Sequence, residues 1–312
     1  MDLVEKILQG DARSAARLMT LIENGTAEAI TALKALYPHT GKAFVIGVTG
    51  PPGSGKSTLT DGITEEFRRL GKTVGIVAVD PSSPFTGGAI LADRIRMQRH
   101  SLDADVFIRS MATRGHLGGL ARATNDVVDV LDAAGKDYVL IETVGVGQDE
   151  VEVVRAAHTS IVVAVPGLGD DIQALKAGIM EIGDLFVVNK ADRDGADRTA
   201  MEIEMMLHLG MAIGGWQPKV LRTVAIKGEG VAELTRVILE HQAFLEKDAG
   251  HRQKGKERSR WVFHELLQER VTARVLEKVT ENGTLERLIE RLAARETDPY
   301  SAVEEVLKKA GL

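Results

Sequence analysis

The sequence predicts an α/β fold: a mostly parallel central sheet covered by helices on both faces, with N-terminal helices before it and a C-terminal helical arm after it. Three observations predict it. Between residues 43 and 245, short β-rich runs alternate with helical segments, the pattern of strands joined by right-handed crossovers. Several of these runs are apolar on both faces, as strands covered from either side must be. The first run leads straight into GPPGSGKST, a glycine-rich turn from Gly50 to Thr58 that opens a helical segment.

Residues 1–40 read as helices, because Val4, Ile7 and Leu8, then Ala15, Leu18, Met19 and Ile22, recur at helical spacing. Tyr37-Pro38 stops that pattern. Seven strands are then expected: FVIGVT (44–49), TVGIVAV (73–79), DVFIRS (105–110), YVLIET (138–143), SIVVAV (160–165), LFVVN (185–189) and VLRTVA (220–225). In sheets of this kind ligands sit beyond the carboxyl ends of the strands, and the polar motifs fall there. The basic run HRQKGKERSR (251–260) reads as a connector, a solvated surface or helix start rather than a nucleic-acid patch. Beyond it, Val262, Phe263, Leu266 and Leu267, then Val271, Val275 and Val279, then Leu285, Leu288, Ile289 and Leu292 keep helical spacing. A stripe with no sheet partner nearby must bury itself on the α/β domain or on another subunit.

Composition excludes several classes of function. A chain of 312 residues with 44% hydrophobic and 27% charged residues has the makings of a large buried core. Its net charge of −6 favours neither nucleic acid nor an acidic membrane surface. With no cysteine there are no disulfides, thiolate metal sites or thiol catalysis. The first 20 residues are amphipathic and lack the apolar core of a signal peptide, and no apolar run approaches the ~20 residues that span a bilayer. A cytoplasmic protein with no membrane partner is expected.

Gly50-x-x-x-x-Gly55-Lys56-Ser57 matches the phosphate-binding loop in full and lies between an expected strand and helix. Gly50, Gly53, Ser54 and Gly55 let backbone N–H groups turn toward an anion, and the helix opening at Lys56, Ser57 and Thr58 adds its positive end. Lys56 is placed to reach the β- and γ-phosphates, and Ser57 to bind Mg²⁺. Asn189-Lys190-Ala191-Asp192 follows a late strand. Asp192 can accept from guanine N1–H and the 2-amino group, whereas adenine leaves it buried and unpaired. Asn189 then contacts the base edge and backbone, and the Lys190 stem lies along the ring. The expected ligands are GTP and GDP with Mg²⁺, in a P-loop NTPase domain over 41–248, between a helical extension (1–40) and an arm (249–312).

Three carboxylates gather at the same edge. Glu142 stands where most GTPases carry Asp, in Glu142-x-x-Gly145, with the Gly145 N–H as γ-phosphate sensor. Asp80 ends another strand, and Asp93 follows in GGAILADRIRM. These are more ligands than one Mg²⁺ takes at once, so they are expected to exchange between states. For hydrolysis, Lys56, Mg²⁺ and the loop amides compensate charge. Gln148 is either the amide that positions water or a loop residue turned to solvent. Slow intrinsic hydrolysis, completed by a partner, is expected. His100, His116 and His158 are lone histidines read as surface or capping residues.

GPPGSGKST, VDPSSPFTGGAILADRIRM, RGHLGGLA, IETVGVGQDEVEV, VPGLGDDIQALKAGIMEIGD and NKAD occur in this order over about 43 to 230. The combination resembles the MeaB-like GTPases associated with methylmalonyl-CoA mutase, formerly known as ArgK or LAO/AO transport kinases. The resemblance implies a central GTPase domain and a C-terminal arm that makes a homodimer. It implies a G-protein chaperone that gates adenosylcobalamin loading onto a B12-dependent acyl-CoA mutase and protects or reactivates it, with a cobalamin adenosyltransferase as a further partner. By this likeness Lys56 and Ser57 serve phosphate and Mg²⁺, and Asp80, Asp93 and Glu142 form the acidic switch cluster. The segment 166–176, with Gly167, Asp170, Asp171, Gln173 and Lys176, is similar to a further switch facing the mutase. One departure stands out: the guanine-side loop reads Val224-Ala225-Ile226 where the family usually has Ser-Ala. The Ala225 N–H can still reach guanine O6. Rival readings are a small-molecule or protein kinase, a nickel-type metal-insertion GTPase, and a regulatory switch for an unrelated partner.

Overall fold

The computed structural model describes residues 2–80, 98–100, 102–112, 119–143, 157–167, 183–209, 215–247, 250–280 and 283–311. Its centre is one seven-stranded sheet: β1 (Phe44–Thr49), β2 (Val74–Asp80), β3 (Val106–Ala112), β4 (Tyr138–Glu142), β5 (Thr159–Ala164), β6 (Leu185–Asn189) and β7 (Lys219–Thr223). These are the seven runs expected from sequence, with ends shifted by no more than two residues. The order is β3-β2-β4-β1-β5-β6-β7, and every pairing is parallel. P-loop NTPases share this α/β architecture.

The order has a consequence for ligands. β1 lies between β4 and β5, with the chain's later strands going to one side and β2 and β3 to the other. That reversal opens a crevice at the carboxyl end of β1, where the glycine-rich loop begins. Register aligns the rest of the rim: Val48 and Ala78 both pair with Glu142, and Asn189 pairs with Thr223.

Helices cover both faces because the strands are apolar on both. On one face, Ile46, Val48, Ile76, Leu140 and Ile161 pack with Leu59, Ile63 and Phe67 of α4 (Lys56–Arg69) and with Leu234 and Ile238 of α7 (Val231–Lys247). On the other, Val162, Ala164, Phe186 and Val188 meet Ala196, Ala200 and Ile203 of α6 (Ala196–Leu209). α5 (Gly119–Ala133) packs on β2 and β4.

The N-terminal helices are α1 (Leu3–Leu8), α2 (Ala12–Glu23) and α3 (Ala27–Leu36), followed by a short turn at Tyr37–His39. Asp2, Asp11 and Thr26 cap them by accepting orphan amides. Ile7, Leu18, Met19 and Ile22 are buried, and α1, α2 and α3 all rest on α5. Two polar ties fix them. Arg109 of β3 donates to Glu23 at 2.6 Å, and the buried Asp132 carboxylate accepts the amides of Gly41, Lys42 and Ala43.

The chain divides into two compact units, Met1–Lys256 and Glu257–Leu312. The division falls inside α8 (Gly250–Thr280), and the basic run 251–260 lies in the first turns of that helix, in line with the helix-start reading. Within the second unit, Val279, Leu288 and Ala302 are buried among α8, α9 (Thr284–Ala293) and α10 (Pro299–Ala310). Lys278 donates to the Ala310 carbonyl at 2.7 Å, and Arg291 pairs with Glu305 at 2.9 Å. Phe263, Leu267 and Val271, one turn apart on α8, are exposed, as are Ile289 and Tyr300. Among the described residues, no helix is long and apolar enough to cross a membrane.

Candidate functional site

The phosphate loop follows β1 without a spacer, and its backbone requires glycine at two contact points. Gly50 has φ +144°, and a Cβ there would lie 2.2 Å from the Val163 carbonyl oxygen of β5. Gly55 has φ +89° at the N-cap of α4, and its Cβ would lie 2.4 Å from Asn189 Nδ2. α4 therefore begins with no side-chain cap, at the helix end that carries partial positive charge. Lys56, buried in its first turn, curls its ammonium back to donate to Gly50 O at 2.8 Å and Pro51 O at 3.1 Å. That places the cation over the loop, where a phosphate chain takes charge-assisted bonds.

Ser57 donates to Glu142 Oε1 at 2.5 Å. Ser57 is on the phosphate helix and Glu142 is the last residue of β4, so sheet order alone makes them neighbours. A hydroxyl and a carboxylate held together at the phosphate end of a helix are the hard oxygen donors that Mg²⁺ takes. They fit the ion. Asp80 ends β2 on the same rim. Asp93, Gly145 and Gln148 lie outside the described residues, as do Asp170, Asp171, Gln173 and Lys176; Gly167 is an exposed residue after β5.

The base side is built around Asn189, which is 2% exposed. Its Nδ2 donates to the Ser54 carbonyl at 2.8 Å, while its Oδ1 accepts from Thr223 Oγ1 and from the Ala225 amide, each at 3.1 Å. One side chain thus binds the phosphate loop to the end of β7 and to the guanine-side loop. Lys190, with φ +56°, donates to Gly53 O at 2.6 Å and makes a second tie. These protein bonds engage both ends of the Asn189 side chain. The Ala225 amide, expected at guanine O6, donates to Asn189 Oδ1 where Ala225 opens the 3₁₀ turn Ala225–Lys227. Val224 turns the chain there, its amide donating to Glu229 O at 3.0 Å.

Asp192 stands at the mouth of this bracket. Lys227 Nζ lies 3.4 Å from its Oδ2, and both side chains are about half exposed, so the pair is weak and yields readily to a ligand. Thr223 and Lys227 were not singled out from the sequence. The signal for Thr223 was its place two residues before Ala225 at the end of the last strand. Of the lone histidines, His158 accepts the Val45 amide at 2.9 Å in a structural role. His116 lies outside the described residues.

Comparison with known proteins agrees with this geometry. The family model described as methylmalonyl-CoA mutase-associated GTPase MeaB matches residues 15–280. A Pyrococcus abyssi protein, provisionally named a GTPase, is 49% identical over 311 residues, covering 99% of this chain and 96% of its own. The GTPase ArgK of Escherichia coli K12 is 38% identical over 250 residues, covering 78% of this chain and 76% of its own. A crystal structure of an LAO/AO transport system kinase superposes with a TM-score of 0.74 at 26% identity, covering 99% and 97% of the two chains. A glycine loop that only glycine can build, a lysine over it and an Asn-Lys-x-Asp bracket clamped to it by two side chains identify the chain as a P-loop GTPase that belongs to the MeaB family.

Proposed function

We propose that this chain is a slow, Mg²⁺-dependent GTPase. It gates adenosylcobalamin loading onto a B12-dependent acyl-CoA mutase in the cytoplasm, methylmalonyl-CoA mutase or a close relative, and protects and reactivates that enzyme. One observation carries the reading: the Asn189 bracket fixes the Asp192 loop against the phosphate loop, within a chain whose family is described by its association with that mutase.

In this reading GTP lies across the crevice at the end of β1. The loop amides and Lys56 hold the phosphates, Lys56 exchanging its bonds to Gly50 and Pro51 carbonyls for phosphate oxygens. Ser57 and Glu142 hold Mg²⁺, with Asp80 and Asp93 as alternating ligands; the ion supplies charge compensation for the transferring phosphoryl group. Asp192 selects guanine by accepting two hydrogen bonds that adenine cannot give. Gln148 orients water, and Gly145 senses the γ-phosphate. Without a partner the positioning is incomplete, so intrinsic turnover is slow.

The segment bearing Gly167, Asp170, Asp171, Gln173 and Lys176 faces the mutase, and a cobalamin adenosyltransferase supplies the cofactor. Residues 262–310 pair two copies into a homodimer, which covers the exposed Phe263, Leu267 and Val271. Light scattering tests that part: truncation near residue 248 leaves a monomer, and an unchanged oligomer rules the arm out.

Capture from native extract with a non-hydrolysable GTP analogue, followed by identification of the partner, tests the central reading. A B12-dependent mutase is the expected capture, and the purified mutase then accelerates GTP hydrolysis by more than about threefold. Phosphate transferred from GTP to arginine, ornithine or a protein instead of water supports the kinase reading.

A further inference from the structure

His100 stands outside the nucleotide site, and the reaction above makes no use of it. Expected as a surface or capping residue, it is only 8% exposed. It closes the short turn Gln98–His100, directly after the stretch that contains Asp93 and before β3. Its Nε2 lies 3.3 Å from the Asp61 carbonyl oxygen and 3.2 Å from Asp61 Oδ1, an oxygen sealed from solvent. A sealed carboxylate oxygen needs a cation or donor beside it, and the imidazole is placed to serve as one.

Asp61 belongs to α4, four residues after Ser57, so the two side chains leave the same face of the helix one turn apart. The first turn holds Lys56 and Ser57; the second is gripped by His100. We infer that His100 is a positioning residue for GTP turnover: by clamping Asp61 it holds the phosphate helix, and with it Ser57, against the chain that leads into β3. This rests on the GTPase reading.

The electrostatics agree with the geometry. The hydrogen bond and charge of Asp61 raise the imidazole above its ordinary range, against the opposing effect of burial. Among the described residues, Asp103 in the following turn adds a weaker pull and is itself paired with Arg68 at 2.8 Å; the neighbouring Arg99 is exposed. The sign follows from a raised folded-state value. The charged clamp is complete below the usual histidine range and is lost as pH rises through the raised one. Nucleotide affinity rests on amides, Lys56 and Asp192, so the clamp acts on kcat more than on GDP binding.

The test uses the full chain and three readouts: kcat and KM for GTP from about pH 6 to 9, GDP affinity by calorimetry, and Tm. Wild type loses kcat on the alkaline side. His100→Gln, which still donates to Asp61 but carries no charge at any pH, holds kcat near the wild-type alkaline level throughout and removes the pH step. His100→Leu lowers kcat about tenfold at every pH while GDP affinity moves less than about twofold. Superposable pH profiles for wild type and His100→Gln overturn the inference and leave the GTPase reading intact. So does a His100→Leu loss of kcat matched by an equal loss of GDP affinity and a large fall in Tm. Absence of any GTP turnover overturns both.

Discussion

Replacing Asn189 with Ala breaks the bracket at its centre. Three buried groups lose their partner at once: the Ser54 carbonyl, the Thr223 hydroxyl and the Ala225 amide. Each orphaned group costs about 1–3 kcal/mol, and relaxation with water entering the space left by the side chain recovers part, so about 3 kcal/mol remains. For a unit of this size that lowers Tm by about 6–12 °C. The same loss unfastens the guanine-side loop from the phosphate loop, so phosphates and base are no longer gripped in one register. GDP affinity then falls about a hundredfold, equivalent to about 2.7 kcal/mol. Differential scanning calorimetry with and without GDP, combined with a GDP titration, measures both quantities. An Asn189→Ala chain that melts within about 2 °C of wild type and binds GDP within about threefold refutes the bracket as the organising contact.

Other perturbations separate the remaining parts. Gly55→Ala puts a Cβ 2.4 Å from Asn189 Nδ2 at a positive φ, so it abolishes nucleotide binding while Gly53→Ala, whose added carbon meets nothing within 4 Å, does so less completely; equal affinities in a GDP titration contradict this. Glu142→Gln removes the charge beside Ser57, and Mg²⁺ then tightens GDP binding much less than in wild type, as titration with and without the ion shows. Asp103 is held below the ordinary carboxylate range chiefly by its hydrogen bond to Arg68. Its contribution is present above about pH 4 and lost as pH falls through the depressed folded value, so Asp103→Asn flattens the acid side of a Tm-versus-pH curve. The pair is partly exposed, so the change is modest.

The sheet was legible because each strand is a local signal: an apolar run such as FVIGVT or LFVVN announces itself without reference to anything distant. The phosphate loop was legible for the same reason, since the strain at Gly50 and Gly55 is written in the residue type. Roles were harder than residues. Asn189 was found from its motif, but its work on Ser54, Thr223 and Ala225 depends on which strands become neighbours, and the order β1-β5-β6-β7 is not encoded in any one window. Asp132, accepting three amides from 41–43, and His100, gripping Asp61 from 39 residues away, were invisible for the same physical reason. The run 251–260, read as a solvated surface or helix start, stands in the first turns of α8, since Lys and Arg are good helix formers and the run holds no Pro.

Isothermal titration of the purified chain with GTP and with ATP, in the same Mg²⁺ buffer, measures the central claim most directly. Adenine covers the half-exposed Asp192 carboxylate without offering guanine's two donors, a loss of a few kcal/mol, so GTP binds at least about a hundredfold more tightly than ATP. Equal affinities for the two nucleotides, or no binding of either, contradict it.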